Sequence, residues 1–192
     1  MNKQITLLSV FALAMMTTVS CHKEPPVTDP ITTDSPASEL PPGFAGGIWF
    51  YGTFGPIAYY DRDGHEVGNE TEAARQYTFN EVNGRATVEF MQYLGLRNSS
   101  NCVTEIYTTK KGTAVFESPD KFTFYPVEGQ FKTIKKGCSN NGTTTRKASG
   151  AELSPEPYLY ELKTTDGRNL FFVYNITDIN KHEPVFVYRK AE

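Results

Sequence analysis

The chain has 192 residues, with 19 lysines and arginines against 22 aspartates and glutamates, a formal net charge of −3. So mild an acidity provides no basic face to displace counterions from phosphates, which excludes nucleic acid as a partner. The pairs Lys110-Lys111 and Lys135-Lys136 read as solvated turn residues.

The first twenty residues are unlike the rest. Lys3 gives a positive start, and Ile5–Val19 is apolar except for Ser9 and three threonines. A membrane-spanning helix needs about 20 apolar residues, so this stretch is too short to span and suits a cleaved leader. Thr18-Val19-Ser20-Cys21 follows. It resembles the lipobox of bacterial lipoproteins, with Thr18 where that motif carries Leu. The resemblance implies removal of residues 1–20, acylation of Cys21, and a membrane partner reached through that lipid anchor. His22, rather than Asp, follows the cysteine; by the same resemblance this favours the outer membrane, on its periplasmic face or at the cell surface. Lys23-Glu24 resembles part of a surface-export signal of some Gram-negative lineages.

Residues 21–45 read as an acylated cysteine and a disordered tether. His22–Ala45 holds six of the twelve prolines and few large apolar residues, too little to offset the entropy of ordering. Extended at about 3.1 Å per residue, it could hold a domain roughly 60–70 Å from a membrane.

The domain is expected over residues 46–192, a length that suits one core. Glycine dipeptides punctuate it: Asp63-Gly64, Asn83-Gly84, Lys111-Gly112, Glu128-Gly129, Asn141-Gly142 and Asp166-Gly167. These accept the positive φ angles of tight hairpins. Between them the sequence predicts strands at Ile48–Phe54, Ile57–Asp61, Gln76–Val82, Arg85–Tyr93, Cys102–Lys110, Thr113–Glu117, Phe122–Pro126, Phe131–Lys135, Tyr158–Thr164, Asn169–Asn175 and Val185–Arg189. Alternation supports several: Ala86, Val88 and Phe90 oppose Arg85, Thr87 and Glu89. Thr71–Arg75 reads as one helical turn, and no longer helical period appears. The fold class is all-β and antiparallel. Short connections favour an up-and-down barrel over a β-sandwich, with Thr143–Pro157 a candidate crossing.

Gly47-Ile48-Trp49 opens the first strand and contains the only tryptophan. It resembles the G-x-W signature of lipocalins. The resemblance implies a lipocalin-like barrel over about Gly46–Glu192. It also implies a floor closed by Trp49, with a basic residue of the last strand, here Arg189, packed across the indole. Cys102 and Cys138 remain as an even pair in an oxidising compartment, which predicts a disulfide. Closing a 36-residue separation stabilises a fold by roughly 3–4 kcal/mol in the chain-entropy model.

Nothing marks an enzyme, a cofactor or a metal. Histidine is limited to His22, His65 and His182, and neither G-x-S-x-G nor H-E-x-x-H occurs. Asp61-Arg62-Asp63-Gly64-His65-Glu66 has three carboxylates, but its spacing fails the calcium-loop pattern after Gly64, and a hairpin tip explains it. The aromatics carry the functional suggestion: of 13 phenylalanines and 11 tyrosines most fit the half-buried faces of a core. A surplus of tyrosine would instead line a cavity for a small apolar or amphipathic ligand. The alternative is an interaction or glycan-binding module on a tether, with no internal ligand. Ligand identity and oligomeric state are not legible.

Overall fold

The computed structural model describes residues 35–52, 70–97 and 102–191. Nine strands form one antiparallel sheet: β1 (Ile48–Gly52), β2 (Glu70–Val82), β3 (Arg85–Arg97), β4 (Val103–Ser118), β5 (Lys121–Lys136), β6 (Gly142–Lys147), β7 (Glu156–Thr165), β8 (Arg168–Asn175) and β9 (Phe186–Lys190). Hydrogen-bonded neighbours run β4-β3-β2-β1-β9-β8-β7-β5, and β4 also pairs with β5, so eight strands close a ring. The order is up-and-down except for β6, which adds to the upper half of β5 while β7 pairs with its lower half. The domain is an all-β antiparallel barrel, as its alternation and turns predict.

One end is closed by tight hairpins. At Asn83-Gly84 φ is 54° and 71°, and at Asp166-Gly167 it is 51° and 74°; both pairs hold the left-handed geometry of a two-residue hairpin. Lys111-Gly112 and Glu128-Gly129 are not turns. They lie inside β4 and β5, where the register slips between Lys111 and Gly112. A Cβ on Gly112 would stand 1.9 Å from the Tyr125 carbonyl oxygen, so this glycine permits close backbone approach at a bulge. Four predicted strands are therefore two long ones of 16 residues each. Thr71–Arg75 belongs to β2 rather than to a helical turn, because sheet pairing overrides weak local propensity. The predicted strand at Ile57–Asp61 and the Asp61–Glu66 cluster lie outside the described residues. The Thr143–Pro157 connection is β6 followed by one 3-10 turn, Gly150–Leu153.

Inward-facing residues alternate along much of the barrel, while β6 is exposed throughout. Trp49, Tyr77, Phe79, Val88, Phe122, Phe124, Phe171, Val173 and Tyr188 are at most 2% exposed and form one cluster. The lower barrel is filled with rings.

The segment read as the end of the tether belongs to this domain. Residues 35–45 cross the closed end as a strap. Ser38 donates to the Ala114 carbonyl and accepts from the Ala86 amide, continuing sheet-like bonding at the barrel floor. Phe44 is fully buried and meets Trp49, Phe79, Phe116, Tyr160 and Phe171 at centroid distances of 4.9–6.0 Å. The packed domain therefore includes residues 35–45 ahead of Gly46, because burial of one aromatic ring offsets the ordering of a proline-rich strap.

Candidate functional site

Trp49 occupies the floor, 1% exposed, but Arg189 is not its partner. Arg189 pairs with Phe50, whose side chain alternates with that of Trp49 and points out of the barrel. Lys190, opposite Trp49 in the register, places its ammonium 5.7 Å from the indole ring. The same ammonium donates to the Ala45 and Gly43 carbonyls, tying the last strand to the strap. One step of strand register separates the expected residue from the observed one.

Cys102 and Cys138 are joined, beside the Val103–Lys136 pair that starts β4 and ends β5. The bond staples the far tip of this long hairpin. Cys21, the residue expected to carry lipid, lies outside the described residues. His182 sits in the β8–β9 connection, where its amide donates to the Asp178 carboxylate; this is turn chemistry.

A hollow of about 790 Å³ is a groove beside the strap lined by Leu40, Pro41, Pro42, Phe116, Pro119 and Tyr160 among others. It has the character of a seam between strap and barrel. The end opposite the strap is chemically richer among the described residues. Above the rings of Tyr77 and Phe124 the inward positions turn polar: Arg75 on β2, Gln92 on β3, Lys110 on β4, and Glu156 and Tyr158 on β7. Aromatic residues continue around them as Tyr51, Phe90 and Phe186.

Lys110 Nζ lies 2.6 Å from Glu156 Oε1, with side chains only 13% and 25% exposed. Tyr158 donates to the other Glu156 oxygen at 3.3 Å. Burial, with Glu156 second, pushes the Tyr158 phenol up to about 12. The Arg75 guanidinium is stacked 3.9 Å from the centroid of Phe186 and 5.9 Å from that of Phe90. Such stacking holds a cation over a ring face with its in-plane donors free to act.

Tyr188 stands below Arg75, fully buried. Its hydroxyl donates to no acceptor among the described residues. Burial drives its pKa upward, and the Arg75 charge and the hydrogen-bonding approach of the Arg75 side chain partly counter that rise. Tyr77 is likewise held well above its ordinary value, first by burial and then by Tyr188. The site therefore consists of an aromatic floor, one satisfied ion pair, one stacked cation and one buried hydroxyl. Burial holds the phenols of Tyr77, Tyr158 and Tyr188 neutral.

On the β3–β5 side the wall stands above the rim, because those strands run past the ends of β1 and β9. Leu94 faces Ile106 across that wall, and Thr108 faces Phe131. All three apolar residues are half-buried, and Arg146 covers the Phe131 ring at 4.1 Å. By alternation they share the inward face with Phe90 and Lys110.

Among the described residues no helix is long and apolar enough to cross a membrane, and no group of three histidine, cysteine or acidic side chains is placed to hold a metal ion. No family model matches the chain, and comparison with curated proteins and with solved structures found no match.

Proposed function

We propose that the protein is a lipid-anchored lipoprotein of the bacterial envelope whose lipocalin-like barrel holds a small amphipathic ligand at its mouth. The observation that carries this reading is the polar cluster of Arg75, Lys110, Glu156 and Tyr158 seated on an aromatic floor at the open end. Convergent polar groups on an otherwise apolar surface are what fix an amphipathic molecule in orientation. The strap enters at the opposite end through Ser35–Ser38, so attachment to a membrane through Cys21 leaves the mouth clear. The Cys102–Cys138 bond fits an oxidising envelope compartment.

The filled lower barrel narrows the expectation drawn from composition. A ligand rests on the rings of Tyr77 and Tyr188 rather than passing between them, because native cores do not open to admit one. The same filling favours the second reading, a displayed interaction module that binds another macromolecule through its outer surface.

Native mass spectrometry of protein taken from its source membrane separates the two. A retained small molecule, lost on organic extraction, supports the ligand reading. Ligand-free protein that instead crosslinks to one envelope component in intact cells would overturn it. For the anchor, Cys21→Ser should release a folded protein from the membrane with its disulfide intact; persistent membrane association would refute the acylation.

A further inference from the structure

We infer that the outer face of the β4–β5 hairpin, above the barrel rim, binds a saccharide that carries a carboxylate, with Tyr107 as the stacking surface and Lys132 as the partner of the acid group. This site is on the opposite side of the wall from the barrel mouth, and the inference holds whether or not the mouth takes a ligand.

Three observations converge on it. First, the register brings an aromatic ring and polar side chains to one hollow. Thr109 faces Gln130 and Tyr107 faces Lys132 across the hairpin, with Ile134 at the next position on the same face of β5. Alternation puts these five on the outer surface, where they line a hollow of about 240 Å³. Pockets for drug-sized ligands run to about 300–1,000 Å³, so this one suits a single ring of a longer molecule. Tyr107 is half-buried and leans on Tyr93, with ring centroids 5.2 Å apart. Tyr93 lies low over Gly95, where a Cβ would stand 2.6 Å from its hydroxyl oxygen, and it donates to Glu72 at 3.0 Å. The Tyr107 ring is thereby braced on one side and borders the hollow. A flat apolar face ringed by hydrogen-bonding groups matches a sugar, whose C–H face is apolar and whose edge carries hydroxyls.

Second, the polar groups around that ring are uncommitted. Among the described residues the side chains of Thr109, Gln130 and Lys132 have no hydrogen-bond or ion-pair partner. Lys132 lines the hollow and no carboxylate does. On the same face Glu105 is taken by Lys136 at 3.0 and 3.2 Å and Glu72 by Tyr93, while Glu128 stands further down β5, opposite Lys111. Lys147, opposite Gln130 on β6, adds a second cation beside the hollow. An ammonium without a carboxylate is the feature that selects an acidic sugar over a neutral one. Third, this face is held firmly although it stands beyond the ring-filled core. The Cys102–Cys138 bond joins its tip. Arg146 covers Phe131 at 4.1 Å and is clasped by both oxygens of Glu152 at 2.7 and 2.8 Å. Such preorganisation lowers the entropy lost when a ligand settles. Beside it β6 is exposed throughout, so a chain of sugars has open surface on which to continue.

The test uses the chain from residue 21 with Cys21→Ser and titrates hexamers of galacturonate, mannuronate and glucuronate, with neutral maltohexaose and hexaglutamate for comparison, by calorimetry and by amide shifts in two-dimensional NMR. The expected result is that at least one uronate binds about tenfold or more tighter than maltohexaose, the scale of one charge-assisted contact, and shifts the amides of Tyr107, Thr109, Gln130 and Lys132. In Lys132→Gln that preference disappears. Tyr107→Ala weakens the uronate and Tyr107→Phe, which keeps the ring, retains it. Lys163→Gln, an exposed cation of β7, changes nothing. Maltohexaose binding as tightly as the uronates would overturn the role of the carboxylate, and hexaglutamate binding as tightly would overturn the saccharide. Failure of all three uronates, or shifts confined to the barrel mouth, would overturn the site itself and leave the mouth reading untouched. If Tyr107→Ala does not fold, Lys132→Gln, at an exposed position, still decides.

Discussion

Replacing Phe44 with alanine separates a structural strap from a passive tether. The ring is fully buried and touches five aromatic neighbours, the nearest Phe79 at 4.9 Å. Truncating a buried phenylalanine to alanine costs about 3–5 kcal/mol, from lost transfer energy and the cavity left behind. The five ring contacts place this site toward the upper half of that range, since each well-oriented aromatic pair adds about 0.5–1.5 kcal/mol and such terms are not additive. Whole domains are stable by only about 5–15 kcal/mol, so the strap accounts for a large share. With a urea dependence of about 2 kcal/mol per molar, a loss of about 4 kcal/mol lowers the midpoint by about 2 M. The assay is equilibrium urea unfolding followed by far-ultraviolet circular dichroism, with Pro42→Ala, an exposed strap residue, as the control. A chain beginning at Gly46 should be destabilised at least as much as Phe44→Ala. An unchanged midpoint in either protein would refute the reasoning and return residues 35–45 to the tether.

Tyr188→Phe removes a fully buried hydroxyl that lies beside Arg75 and has no acceptor to donate to among the described residues, and it should raise stability by about 1 kcal/mol; a lower urea midpoint would show that the hydroxyl is satisfied. Replacing Cys102 and Cys138 together by serine should cost roughly 3–4 kcal/mol while leaving the strand content unchanged, and a midpoint equal to that of the parent would mean the staple is redundant with the β4–β5 ladder. Alkaline pH should unfold the protein. The folded-state values of Tyr93, Tyr158 and Tyr174 are each pushed up to about 12, by burial first, so their contribution is whole below the unfolded value of about 10 and disappears as pH rises from there through 12. Tyrosinate absorbance should therefore rise late and together with loss of circular dichroism; early, independent ionisation of most tyrosines would contradict their burial.

Most of the barrel is legible because period-two alternation and two-residue turns are local signals. Ala86, Val88 and Phe90 point inward as their spacing requires, and Asn83-Gly84 and Asp166-Gly167 turn the chain where expected. Glycine is ambiguous, however. Gly112 carries the same dipeptide signature as a turn, yet it serves a close backbone approach that only the partner strand reveals. The strap was illegible for the opposite reason: its prolines truthfully report missing donors, but whether Phe44 finds a hydrophobic slot depends on five residues distant in sequence. The candidate site was hidden by its own charge. Thr71–Arg75 is rich in helix formers, and Arg75 and Lys110 look like surface residues until barrel closure turns them inward. Arg189 differs from Lys190 by one residue, and in a strand one residue exchanges inside for outside.

The distribution of satisfied and unsatisfied groups is the strongest clue to where the barrel acts. At the closed end several polar groups at the core boundary have partners: Lys190 caps two strap carbonyls, Ser38 bonds both β3 and β4, and Thr113 bonds Ser35, while Arg85 Nε is buried without one among the described residues. A fold able to arrange that at its floor meets no geometric obstacle to doing the same at its mouth, where phenylalanine at position 188 would remove the deficit altogether. Among the described residues the mouth instead keeps a buried Tyr188 hydroxyl with no acceptor, beside Arg75 stacked on Phe186. Such a local departure costs stability, and departures of this kind concentrate at sites of function. Under the ligand-binding proposal, a bound molecule that supplies an acceptor there should stabilise the whole fold by mass action.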